Sequence, residues 1–160
     1  RATVVKLIKD LKARGLRIDA VGMQGHVGMD HNIVEFENSI KAYAEAGVKV
    51  MITELDMSAL PNRRWSANIS DIEEYRESMN PYKEALPDSV SQKWNAKMMD
   101  FMNLFIKHQD VITRVTAWGV TDRDSWKNDF PVRGRTDYPL FFDRQGLPKQ
   151  FVKDLINGAK

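Results

Sequence analysis

The chain has 160 residues, with 24 basic against 22 acidic side chains for a net charge of +2, so no charge excess points to nucleic acid or a membrane surface. At 42% apolar residues it can bury a core, and no run reaches the roughly 20 apolar residues of a membrane span. Cysteine is absent, which excludes disulfides and thiolate metal sites. Val4, Leu7, Ile8 and Leu11 recur at helical spacing and predict a helix over 3–14, stopped by Gly15. No cap and no signal peptide precede it, the start expected of a chain cut from something larger. Residues 19–24 read as a short strand. Asp30 or Asn32 can cap a second helix with Ile33, Phe36, Ile40 and Tyr43 or Ala44 on one face and Gly47 at its end. A largely apolar strand follows at 48–53.

The stretch 58–89, with three prolines and many polar residues, is too long for an ordinary connection and is expected to be a functional loop or to carry short helices. Ser89 or Ser91 could cap a third helix running to His108, with Trp94, Met98, Phe101, Met102 and Phe105 inward. Residues 111–120 predict a third strand, 121–138 a charged Gly/Pro loop, and 149–156 a last helix after the turn at Gly146. Strands alternating with helices argue for an α/β fold, a parallel sheet covered by helices, with its chemistry at the carboxyl ends of the strands.

Those ends carry unusual company. Alternation of side chains puts Gln24 and His26 on one face of the first strand. Glu54 and Asp56 likewise share a face at the second, in line with Val48, Val50 and Ile52. Trp118 and Asp122 would share one at the third. A carboxylate at a strand end suits a nucleophile. His26 could hold Glu54 ionised and oriented, and Asp56 could fix the His26 tautomer from behind. Trp118 and Trp126 offer flat faces to sugar rings, and Gln24 a donor and an acceptor to hydroxyls.

Each residue alone also has a plainer reading. Glu54 could be salt-bridged, His26 structural, Trp118 core and Trp126 a loop plug. The clusters Arg63-Arg64 and Arg133 to Arg135 read as solvated charge. His26, His31 and His108 lack metal-ligand spacing, and no phosphate-cradling glycine motif or serine elbow occurs, so neither a metal nor a cofactor is expected. What shifts the balance is the coincidence at all three strand ends.

The segments Asp19-Ala20-Val21-Gly22-Met23-Gln24-Gly25-His26, Ile52-Thr53-Glu54-Leu55-Asp56 and Trp118-Gly119-Val120-Thr121-Asp122 with Ser125-Trp126, in that order, resemble the C-terminal part of a glycoside hydrolase family 10 xylanase. The ending Pro139-Leu140-Phe141-Phe142-Asp143, then Pro148-Lys149, fits as well. The resemblance implies strands six to eight of a (β/α)8 TIM barrel. It matches Glu54 to the catalytic nucleophile, and His26 and Asp56 to the pair that hydrogen-bonds around it. Gln24 and Trp118 match residues lining the subsite of the attacked sugar, and Trp126 an aromatic lid over it. It implies a retaining endo-β-1,4-xylanase acting on xylan, in a secreted, periplasmic or cell-surface location.

Two departures stand out. The segment 58–89 is longer than the family's usual loop there. The general acid/base Glu, which in the family follows a Trp-Asp-Val-Val-Asn-like segment on the fourth strand, has no counterpart in these 160 residues. The whole of 1–160 is therefore expected to be part of one catalytic barrel, completed by an N-terminal half of about 150 to 200 residues. The competing expectations are a non-catalytic xylan- or β-glycan-binding protein on a degenerate barrel and a related barrel glycosidase with another substrate. An aldolase would want a lysine at a strand end, and none of the three offers one.

Overall fold

The computed structural model describes residues 1–61 and 77–158. Its elements are helix α1 (Ala2–Ala13), strands β1 (Ala20–Met23) and β2 (His26–Gly28), helix α2 (Ile33–Glu45), strand β3 (Lys49–Ser58), helix α3 (Asp88–Lys107), strand β4 (Ile112–Ala117) and helix α4 (Gln150–Gly158). Among the described residues every strand pairing is parallel, and β3 lies at the centre. β1 pairs with its first half, from Ala20 opposite Lys49 to Met23 opposite Ile52. β2 pairs with its second half, with His26 opposite Asp56. β4 runs along the other flank. β1 and β2 thus make one broken strand position, and the sheet has three positions in chain order, as expected from sequence.

Two predicted strands end early, each at a glycine in the left-handed region. The first stops at Met23 and restarts at His26, because Gly25 adopts φ 88° and a Cβ there would lie 2.9 Å from Ile52 Cγ2. Gln24 and His26 therefore do not sit on one extended face. The third stops at Ala117, and Gly119 at φ 137° turns the chain where a Cβ would meet Leu140 at 2.7 Å.

β3, in contrast, extends five residues past the predicted end, and its phase slips within it. Val50 and Ile52 are fully buried, but so are Leu55 and Met57, and the pairing with β4 shifts between Ile52 and Leu55. An irregularity of this kind re-aims side chains. Leu55 and Met57, not Glu54 and Asp56, continue the face of Val50 and Ile52, so Glu54 and Asp56 share a face of their own.

The helices cover the apolar face of the sheet. Phe36 of α2 and Phe101 of α3 meet edge to face at 5.4 Å, and Trp94 of α3 meets Phe151 of α4 at 5.6 Å. The inward set expected on α3, Trp94, Met98, Phe101, Met102 and Phe105, is buried, with Leu104 added. Asn32 caps α2, its Oδ1 accepting from the amides of Val34 and Glu35 at 3.0 and 3.2 Å. Neither serine caps α3. The helix begins instead on the Pro87 carbonyl, which accepts from Val90 and Ser91, both at 2.9 Å.

Of the long stretch 58–89, Arg63 and Arg64 with the rest of 62–76 lie outside the described residues. Its two described flanks hang on one buried ion pair. Asp137 accepts from Ser58 Oγ (2.5 Å), the Ala59 amide (3.2 Å) and Arg135 Nη2 (3.4 Å). Arg135 Nη1 donates to the carbonyls of Met79 (2.7 Å) and Pro61 (3.3 Å). Arg135 is only 5% exposed. It is a structural clamp, not the solvated charge expected from sequence, because a carboxylate and two loop carbonyls meet it in the interior.

Candidate active site

The strand order brings the carboxyl ends of β3 and the β1/β2 position side by side, and the irregularity in β3 turns Glu54 and Asp56 to the same side. His26, opposite Asp56 in the register, falls between them. Its Nδ1 lies 2.9 Å from Asp56 Oδ2 and its Nε2 3.0 Å from Glu54 Oε2. Both ring nitrogens thus face carboxylate oxygens. Each contact is a hydrogen bond only with a proton between its two heavy atoms, and both together require two protons among the three side chains.

Asp56 is completely buried, whereas the Glu54 and His26 side chains retain 23% and 24% exposure. The acid nearest solvent is thus the one whose second oxygen, Oε1, has no hydrogen bond among the described residues. Asp56 also accepts from Trp126 Nε1 at 2.8 Å. That bond holds the indole beside the imidazole, ring centroids 5.2 Å apart. Phe130 packs against Trp126 with ring centroids 5.2 Å apart and planes tilted by 35°. Trp118 presents its ring to His26 edge-on at 6.5 Å, and its amide donates to the Leu55 carbonyl at 2.9 Å. At 46% and 42% exposure, Trp118 and Trp126 are neither core nor plug but open aromatic faces.

Gln24 is exposed, and its carbonyl accepts the Glu54 amide at 2.7 Å. The backbone that interrupts the first strand therefore fixes Glu54. A cleft of about 790 Å³ adjoins this cluster, walled by His26 and Trp126 on one side and by Leu60, Pro61, Phe130 and Arg135 on others. Glu54 and Trp118 do not line it.

One expected neighbour is elsewhere. Asp122 is 1% exposed and sits in the short 3-10 turn Asp122–Asp124, not on Trp118's face. It accepts the Leu140 amide at 2.8 Å and pairs with Lys149 at 2.9 Å, whose ammonium stands 3.9 Å from the Trp94 ring centroid. Burial pushes the Asp122 carboxyl up and the Lys149 amine down, against the mutual attraction of the pair. The pair anchors the chain after β4 beneath the site. Of the other histidines, His108 is remote and pairs with Glu37 at 2.8 Å, while His31 packs on Phe36 and lines the adjoining cleft without joining the cluster.

Lys127 has no precedent in the sequence reading. Its Nζ lies 3.3 Å from Asp56 Oδ1 and 4.6 Å from the Trp126 ring centroid. The signal was present only as adjacency to Trp126. Chemically, the cluster can hold one solvent-facing carboxylate ionised and aimed, beside aromatic faces that suit sugar rings.

In TIM-barrel proteins the functional residues sit at the carboxyl ends of the parallel strands, which is where this assembly gathers its acids and aromatics. The sequence profile of glycosyl hydrolase family 10 matches residues 1–157, and the chain belongs to that family. The endo-1,4-beta-xylanase A of Xylanibacter ruminicola is 46% identical over 159 residues, which are 98% of this chain and 43% of that protein. The endo-1,4-beta-xylanase A of Caldicellulosiruptor saccharolyticus is 37% identical over 94% of this chain and 41% of its own length. Among solved structures, a GH10 endoxylanase retrieved from sugarcane soil metagenome aligns with TM-score 0.86 at 38% identity, over 98% of this chain and 44% of that one. A mutant solved in complex with xylotriose aligns with TM-score 0.78 at 32% identity, over 96% and 43%. The chain thus spans less than half the length of the curated relatives it matches. Its fold is that of the C-terminal part of a TIM barrel. Among the described residues, no helix is long and apolar enough to cross a membrane.

Proposed function

We propose that residues 1–160 supply the nucleophile-bearing part of a retaining endo-β-1,4-xylanase, with Glu54 as nucleophile. One observation carries the reading: a partly exposed carboxylate is held through Oε2 by an imidazole whose other nitrogen is fixed by a buried carboxylate. That leaves Glu54 Oε1 to attack the anomeric carbon of a sugar lying on Trp118 and Trp126. Gln24 hydrogen-bonds its hydroxyls. The ester formed between Glu54 and the sugar is then hydrolysed by water, with net retention. A second carboxyl group about 5–5.5 Å away protonates the leaving oxygen and later activates that water. Glu54 and Asp56 do not divide these roles between them, because Asp56 is buried under His26, Trp126 and Lys127.

The acid/base comes from an N-terminal half that also closes the sheet. Supporting this, the sheet ends at β1 and β4, and apolar side chains such as Leu7, Val115 and Ile156 stay exposed. The named relatives support xylan or xylo-oligosaccharides as substrate. Action on a polymeric wall glycan implies a secreted, periplasmic or cell-surface enzyme, a reading that cell fractionation tests.

The decisive variant is Glu54→Ala in the assembled enzyme. It is expected to lose xylan hydrolysis while retaining xylan binding. Substantial remaining turnover contradicts the assignment. Binding without turnover in the unsubstituted enzyme would instead indicate a non-catalytic xylan-binding barrel.

A further inference from the structure

We infer that Lys127 is a positioning residue: its ammonium is the counter-charge that sets the proton inventory of the Glu54–His26–Asp56 cluster and, with it, the acid limit of the reaction. The inference rests on the reading of Glu54 as nucleophile. It starts from Asp56, whose two oxygens are treated differently. Oδ2 accepts from His26 and Trp126. Oδ1 is buried and accepts no well-aimed hydrogen bond among the described residues. The cation at 3.3 Å is Lys127 Nζ. A fully buried carboxylate with one unsatisfied oxygen is costly unless a charge stands beside it. Lys127 stands there with a side chain only 15% exposed, pinned from the other side by the Trp126 ring face.

The charge count shows what this arrangement does. With two protons on the imidazole and both carboxylates ionised, Glu54, His26 and Asp56 together carry one net negative charge. Lys127 brings the four groups to neutrality. One more proton on the cluster falls on a carboxylate, and on Glu54 it removes the attacking lone pair. A positive charge beside the cluster opposes that uptake. His26 links the two acids through contacts of 2.9 and 3.0 Å, so the effect reaches Glu54 even though Lys127 stands against Asp56 and Trp126 and not against Glu54.

Among the described residues the charged groups around the cluster are few, and the proposed acid/base carboxyl of the N-terminal half adds one more beside Glu54. β2 contributes His26, β3 contributes Glu54 and Asp56, and the segment after β4 contributes Lys127 and the Trp126 indole. The adjoining cleft adds Asp30, His31, Arg135 and Asp137, the last two paired to each other at 3.4 Å. Among the described residues, Lys127 is the cation recorded against Asp56. Through Trp126 it also steadies the aromatic face, so a purely structural role has to be told apart from an electrostatic one.

The test is the pH profile of kcat/KM for xylan hydrolysis by the assembled enzyme carrying Lys127→Met, Lys127→Gln or Lys127→Arg. Met and Gln both remove the charge, one with an apolar and one with a polar head, so a folding failure of either leaves the other to be read. Both are expected to move the acid limb upward by about one pH unit. Arg is expected to keep the limb within a few tenths of its original position. An acid limb that stays in place in both neutral variants, even with reduced kcat, overturns the inference and reduces Lys127 to packing. A limb that moves equally in all three variants overturns it too. Glu54→Ala run alongside separates the two readings: if that variant stays active, the nucleophile assignment fails, whereas an inactive Glu54→Ala with unmoved limbs in the Lys127 series removes only this inference.

Discussion

His26 Nδ1 lies 2.9 Å from Asp56 Oδ2, directly across the parallel register of β2 and β3, so the pairing of two backbones decides where an imidazole points. The consequence is that Nε2 has one direction left, toward Glu54.

Replacing His26 removes this link. His26→Ala in the assembled enzyme is expected to lower kcat/KM by about 10- to 150-fold, the loss of one charge-assisted hydrogen bond of about 1.5–3 kcal/mol. The loss should fall mainly on kcat, since His26 acts through Glu54 and not on distant parts of a glycan chain. Steady-state kinetics on xylo-oligosaccharides reads this directly. A rise in KM at constant kcat would put His26 in substrate binding instead.

The clamp of Arg135 on the two flanks of the long segment predicts a stability effect. Arg135→Ala leaves Asp137 buried without a salt bridge among the described residues and removes the hydrogen bonds that Arg135 donates to the carbonyls of Pro61 and Met79. A cost of about 3–5 kcal/mol is expected, since a buried charge loses its partner. Arg133→Ala, at an exposed position in the same cluster, should stay within about 0.5 kcal/mol. Denaturant unfolding of the two variants of the assembled protein makes the comparison, and equal effects would contradict the clamp.

Glu37 joins α2 to α3 by hydrogen bonds from Lys107 and His108, with Lys41 adding a third, and these hold its carboxyl down at about 2. In the unfolded chain a glutamate titrates near about 4.3. The depressed value means that the contribution is fully present above the unfolded value and is lost as pH falls toward about 2. The Tm difference between the original protein and Glu37→Gln should therefore be constant from neutrality to about pH 5 and shrink steadily below it. A difference that does not change between pH 5 and pH 2 would contradict the sign of this linkage.

The helices were legible in the sequence because their faces repeat over several turns, and the inward set from Trp94 to Phe105 on α3 needed nothing but spacing. Glu54, His26 and Asp56 were legible as residue types at strand ends and Trp126 as an aromatic in the loop after the third strand, and the structure brings these four together. Their faces were not. Counting by twos along a strand fails where a left-handed glycine breaks it, as at Gly25, or where a bulge slips the phase, as between Ile52 and Leu55. The same counting put Asp122 beside Trp118, although it is buried against Leu140 and Lys149. Arg135 and Lys127 were hidden for a different reason. Whether a charge is solvated or buried depends on the partner that meets it. Their partners include Ser58 and Asp56 on β3, some seventy residues away.

The central claim is that Glu54 forms a covalent bond to the sugar. It is tested most directly by incubating the assembled enzyme with a 2-deoxy-2-fluoro xylobioside carrying a good leaving group, then locating the added glycosyl mass by peptide mass spectrometry. Stoichiometric labelling is expected on Glu54 and none in Glu54→Ala. A label on any other residue, or an enzyme that turns over xylan without ever being labelled, would contradict it.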